Sequence, residues 1–155
     1  MRLSSLRGLL HALFLVAGLA ACTSEGARRA HGAPPDLTAC KQLSGDEIRS
    51  LFANVEDRAV VHDGAGGHAR NRWCADGSFT SSWTTEDGAG SLKGRWHVDG
   101  ALRCVSVASG LPDGGAVSRC GPLYRCNDRI ASVNDRGEIH GLHMLSHTPC
   151  PSRGD

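Results

Sequence analysis

The residues of this chain best suited to chemistry are His140, His143 and His147, with Met144 among them. Neutral imidazole binds zinc and copper and a thioether suits Cu(I), so this stretch could hold a transition metal, with His62, His68 or His97 as further ligands. On a helix the three histidines would share a face. The surrounding pattern reads as a strand, where His140 and His143 point to opposite sides unless a bulge or bend near Gly141 brings them together. The plainer reading, polar residues on a terminal strand, is favoured. Metal binding stays as an alternative, and no cofactor is expected. The sequence contains no G-x-S-x-G elbow, no H-E-x-x-H pair and no G-x-x-x-x-G-K loop. Serines, histidines and aspartates abound, but a triad is a spatial arrangement that composition neither supports nor excludes. No catalytic residue is assigned.

The cysteines offer a second chemistry. Arg2 and Arg7 precede an apolar run from Leu9 to Leu19, and Leu19-Ala20-Ala21-Cys22 follows, the charged, apolar, small-residue order of an export signal. The run falls short of the roughly 20 residues that cross a bilayer. The tetrapeptide resembles the lipobox of bacterial lipoproteins. That resemblance implies removal of residues 1–21 and a diacylglycerol on the Cys22 thiol, which becomes the acylated amino terminus. Each buried methylene contributes ~0.8 kcal/mol and stable anchoring takes more than one chain, so such a protein is anchored rather than spanning. By the same resemblance, Thr23 stands where an aspartate would signal inner-membrane retention in enteric bacteria. The outer membrane, facing the periplasm, is therefore favoured.

With Cys22 set aside, Cys40, Cys74, Cys104, Cys120, Cys126 and Cys150 remain. An even number in an oxidising compartment predicts disulfides, and six cysteines allow 15 pairings. C-x-x-C is absent, which argues against zinc or thioredoxin-like use. Without residues 1–21 the chain keeps 15 basic and 16 acidic side chains, since Arg2 and Arg7 go and no acid does. Its arginines are scattered among acids, as in Glu56-Asp57 and Asp128-Arg129, so no clustered basic face for nucleic acid is expected.

Residues 23–35 have no apolar period and end in Pro34-Pro35, the composition of a flexible tether. One domain is expected over 36–150, with a tail at 151–155 whose Arg153-Gly154-Asp155 is read as a chance match to an integrin tripeptide. Ser44-Gly45-Asp46-Glu47 spells a capping box, and Ile48, Leu51, Phe52 and Val55 fall at helical spacing, predicting a short helix that ends near Asn54. Asp46 and Glu47 are explained as helix-start acids. The rest reads as strands and turns. Asp76-Gly77 and Asp99-Gly100 predict type I′ hairpins, and further turns fall at Pro112-Asp113-Gly114-Gly115 and Asn134-Asp135-Arg136-Gly137. The expected fold is mostly β: a small antiparallel meander curled into a barrel or sandwich, with one amino-terminal helix and disulfide staples. Trp73, Phe79, Trp83 and Trp96 are assigned to its core.

The order Leu43-Ser44-Gly45-Asp46-Glu47-Ile48, Asp76-Gly77-Ser78-Phe79, Gly94-Arg95-Trp96 and Asp99-Gly100-Ala101-Leu102-Arg103-Cys104, with Cys120 beyond, resembles a group of small exported proteobacterial β-proteins known only as a domain of unknown function. The likeness covers roughly Leu43 to Cys120. It implies a fold class and an exported home, and it supplies no catalytic residue. It also favours a Cys104–Cys120 pair, which a hairpin turning at Pro112 would place opposite each other. The cysteines at 40, 74, 126 and 150 depart from the group's simpler pattern. The function expected is a non-catalytic binding or interaction module in the envelope, taking a protein or a small envelope component. Its contacts would come from the loops Asp63–Gly67 and Leu111–Gly115. A metal-binding module through the carboxyl-terminal histidines, or an enzyme with an unrecognised site, are the alternatives.

Overall fold

The computed structural model describes residues 34–62, 66–108 and 116–151. The proposed signal with Cys22, most of the tether, the segments 63–65 and 109–115, and Arg153-Gly154-Asp155 lie outside those residues.

Ser44 caps the helix α1 (Gly45–Phe52): its Oγ accepts from the Glu47 backbone N–H at 3.3 Å, and Glu47 Oε2 accepts from the Ser44 N–H at 2.8 Å. Two N–H groups that the first turn leaves unpaired are thereby satisfied. Ile48 and Phe52 are the helix's buried residues. Asn54 then takes a left-handed φ of 61° and sends the chain into β2 (Val55–Val61), so Val55 closes no helical stripe. It begins a strand instead and is buried there.

After the two-residue β1 (Lys41–Gln42), β2 starts an antiparallel series: β3 (Gly67–Trp73), β4 (Ser78–Thr85), β5 (Gly88–Asp99), β6 (Leu102–Val107), β7 (Val117–Cys126), β8 (Arg129–Val133) and β9 (Ile139–His147). Each strand pairs with the next from β2 to β9, and residues 141–147 of β9 pair back along the whole of β2. The result is a closed eight-stranded antiparallel barrel. Among the described residues, closure leaves no long unpaired strand edge on which another chain could template. β7 makes this possible by pairing with β6 through Val117–Pro122 and with β8 through Leu123–Cys126, while β1 adds to it at Tyr124–Arg125.

Two of the turns differ in type from expectation. At Asp76-Gly77 and Asp99-Gly100 only the glycines have positive φ, 80° and 56°, so neither turn is type I′. At the first, the Gly77 N–H donates to Cys74 O at 3.0 Å while Asp76 Oδ1 accepts from the Ser78 N–H at 2.8 Å. The aspartate side chain thus stands in for backbone bonding across the turn.

Because neighbouring strands run antiparallel, connections alternate between two ends of the barrel. The end bearing the β3–β4 and β5–β6 turns is closed by α1, which packs against β5 and β6. Phe52 from the helix meets Trp73 edge-on at 5.6 Å, and Trp73 stacks on Phe79 at 4.7 Å. Trp96 completes this group and donates its Nε1–H to Cys74 O at 2.9 Å. Trp83, expected in the core, stands higher on β4, half-exposed, with its ring against Gly90.

Three disulfides join Cys40 to Cys126, Cys74 to Cys150, and Cys104 to Cys120. The first ties the segment before α1 to the end of β7. The second ties the carboxyl-terminal segment to the β3–β4 turn. The third links directly opposed residues of β6 and β7. A satellite cluster outside the barrel, with Leu142 and Ala131 beside Leu37 and Tyr124, surrounds the first of them.

Candidate ligand-binding lumen

Alternation along the strands decides what fills the barrel. Near the helix end the inward residues are large: Trp73, Phe79, Trp96, Leu123 and Ile130. Towards the other end they are small: Ala59, Ala69, Ser81, Gly121, Ser132 and Gly141 all face one cavity of about 670 Å³. Side chains that would plug a barrel of this strand number are missing from its upper half, which leaves room for one small ligand. The volume falls within the roughly 300–1,000 Å³ of ordinary small-molecule sites. Val61, Val105, Val107 and Val117 supply apolar wall, and Trp73, Phe79 and Leu123 form the floor.

Polar groups converge on that floor. Asp57, on the inward face of β2, is 0 % exposed. Its Oδ2 accepts from Asn71 Nδ2 at 2.9 Å and Trp73 Nε1 at 3.0 Å, and contacts His143 Nδ1 at 2.9 Å. Burial opposes ionisation of this carboxyl, but attraction to His143 and the hydrogen bonds from His143, Trp73 and Asn71 together outweigh it. The group is held below the usual aspartate range. On the far side of the ring, His143 Nε2 lies 2.9 Å from Ser132 Oγ, which also reaches Gly141 O at 3.4 Å. With Nδ1 protonated towards Asp57, a neutral ring accepts the Ser132 hydroxyl proton. An imidazolium donates at both nitrogens and turns that hydroxyl to Gly141 O.

Arg103 projects from β6 into the same lumen. Its guanidinium carbon lies 4.6 Å from the Trp73 ring centroid and 4.8 Å from that of Phe52. Burial pushes this group down to about 10, against the pull of Asp57, so it remains protonated at neutral pH. No nitrogen of Arg103 donates a hydrogen bond to a described residue, and Nη1 is sealed from solvent without a partner. The side chain nevertheless keeps partial accessibility, which it owes to lining an open interior.

The histidines singled out by sequence separate. A register shift between Ser132 and Val133 lets both His140 and His143 line the lumen, although they stand three apart on one strand. His143 is committed to Asp57 and Ser132, and His147 lies exposed further along β9. Among the described residues no group of three or more His, Cys, Asp or Glu is placed to hold a metal ion. Residues 63–65 and 109–115, the core of the two loops expected to contact a partner, lie outside the described residues. Asp57, Asn71, Arg103 and Ser132 carry the site's polar character and were not singled out from sequence.

The described residues thus form a closed antiparallel β-barrel, capped at one end by α1, with a polar-floored cavity inside it. No family model matches the chain, and no curated protein and no solved structure matches it either.

Proposed function

We propose that this chain is an exported, lipid-anchored envelope protein whose barrel holds a small, largely apolar molecule without transforming it. The observation that carries the binding half is the lumen: small residues on six strands leave one continuous cavity over a rigid aromatic floor. A pre-formed pocket with apolar walls and a few convergent polar groups is the usual form of a small-molecule site. The anchoring half rests on Leu19-Ala20-Ala21-Cys22 and on the even number of cysteines left once Cys22 carries lipid. Asp57, His143 and Ser132 stand in the order that activates a serine in hydrolases. They also serve as wall structure, since His143 joins Asp57 Oδ2 to Ser132 Oγ, while Asp57 Oδ1 is buried without a hydrogen-bond partner.

Two measurements test this. Ala69 faces the lumen from β3, and phenylalanine there fills empty space rather than packed core. Ala69→Phe is expected to weaken uptake of a fluorescent apolar probe at least about tenfold with little change in melting temperature. Equal uptake would remove the lumen from the account. Intact mass of protein made in a bacterial host is expected to show an acylated chain beginning at Cys22. An unmodified amino end would remove the anchor.

A further inference from the structure

Deepening the binding reading, on which it rests, we infer that the ligand carries a carboxylate and seats it head-down on Arg103 at the lumen floor. Among the described residues, those lining the cavity include two arginines, Arg103 and Arg119, and no aspartate or glutamate. That imbalance of the described lining contrasts with the chain as a whole, which carries 17 basic and 16 acidic side chains. Asp57 does not line the cavity. It is wholly buried within the barrel, its Oδ2 shared among Asn71, Trp73 and His143.

A guanidinium carries five N–H donors in a planar fork, and a carboxylate matches that fork with two parallel bonds. In Arg103 none of the five is used on a described residue, and no carboxylate oxygen among those residues lies within ion-pair distance. The aromatic faces of Trp73 and Phe52 offset part of the cost of keeping this cation from bulk water, and they accept no N–H bond in its plane. The cation is thus sheltered and held in place, with Nη1 shut off from solvent and no described residue taking its donors. Arg119, at the mouth and 4.0 Å from Asp135, would draw an anion inward without holding it. Valines at 61, 105, 107 and 117 then surround the remainder of the ligand, which must be apolar. Gly141 keeps the space beside Ser132 and His143 clear: a Cβ there would stand 3.4 Å from Ser132 Oγ and 3.5 Å from His143 Nε2. The class of ligand is a compact amphiphile with one carboxylate head and an aliphatic or aromatic body.

The test is a calorimetric titration of the purified, oxidised protein with dodecanoate, methyl dodecanoate and dodecylamine, which share a tail and differ in the head. Dodecanoate is expected to bind roughly tenfold to a hundredfold more tightly than the ester, with the amine weakest, as loss of a charge-assisted hydrogen bond dictates. Arg103→Met keeps the stem and removes the charge, and is expected to level acid and ester. Arg125→Met, at an exposed position near the end of β7 that does not line the cavity, is expected to leave the preference intact. If ester and acid bind the wild-type protein equally, the carboxylate inference falls while the lumen reading stands. If none of the three binds, both fall. Should Arg103→Met fail to fold, the comparison of heads on the wild-type protein still decides the matter.

Discussion

Asp57→Ala is expected to destabilise the barrel by about 3–5 kcal/mol, because it strands buried partners rather than merely removing a contact. Asn71, Trp73 and His143 all direct polar atoms at one carboxylate oxygen, and all three residues are at least nine-tenths buried. Alanine leaves those groups without an acceptor in a place water does not reach. Among the described residues it also removes the one buried carboxylate whose charge opposes that of Arg103. A loss of this size lowers the melting temperature of a domain this large by more than about 10 °C. The pH dependence follows from the same group. Its folded-state pKa lies below the unfolded value of about 3.9, so its stabilisation is complete above that value and is lost as pH falls through the lower folded one. Asp57→Asn, which cannot ionise, is expected to be less stable at pH 7 and to show a flatter acid limb in urea titrations. An Asp57→Ala protein melting within a degree or two of wild type would contradict the hub reading.

The second large effect concerns the staples. Cys40–Cys126 and Cys74–Cys150 span 86 and 76 residues, whereas Cys104–Cys120 spans 16. In the chain-entropy treatment each long closure constrains the unfolded chain by about 4–5 kcal/mol and the short one by about 3. Position sharpens the difference. Cys104 and Cys120 already face each other in a paired ladder, while Cys150 is held by a short carboxyl-terminal segment whose other anchors are single bonds. These are Thr148 N–H to Asn54 O at 2.9 Å and Arg72 to Pro149 O at 3.0 Å. Replacing Cys74 and Cys150 together by serine is therefore expected to cost the most, and Cys104 with Cys120 the least, in guanidinium unfolding. An inverted order would contradict it.

How far the sequence revealed this molecule depends on how local each feature is. The helix was readable because a capping box and its apolar face lie within nine residues, Ser44 to Phe52. The turns at Asp76-Gly77, Asp99-Gly100 and 134–137 were readable in position, those between β4 and β5 and between β7 and β8 were not, and the one at 112–115 lies outside the described residues. Turn type was not, since a D-G pair serves both I′ and glycine-ended turns, and the structure uses the latter. Barrel against sandwich stayed open because closure depends on one strand, β7, pairing with β6 and then with β8. Nothing within residues 117–126 states that exchange. The site was less legible still. Asp57 shares strand parity with Val55 and Ala59, and Arg103 with Val105 and Val107. A polar residue on an apolar face was therefore visible in each strand, but only closure shows that both faces meet one lumen. His143 was singled out as a metal ligand, and the structure gives it a different task. Its two nitrogens link β2 to β8 through Asp57 and Ser132.

The central claim is that the lumen, not the outer surface, receives the ligand. Chemical-shift mapping of the labelled protein with dodecanoate tests it most directly. The account predicts shifts at Ala59, Val105, Val117 and Ser132 and at the Arg103 side chain, with the outer face of β7 unmoved. Shifts confined to exterior residues, or none at saturating dodecanoate, would contradict it.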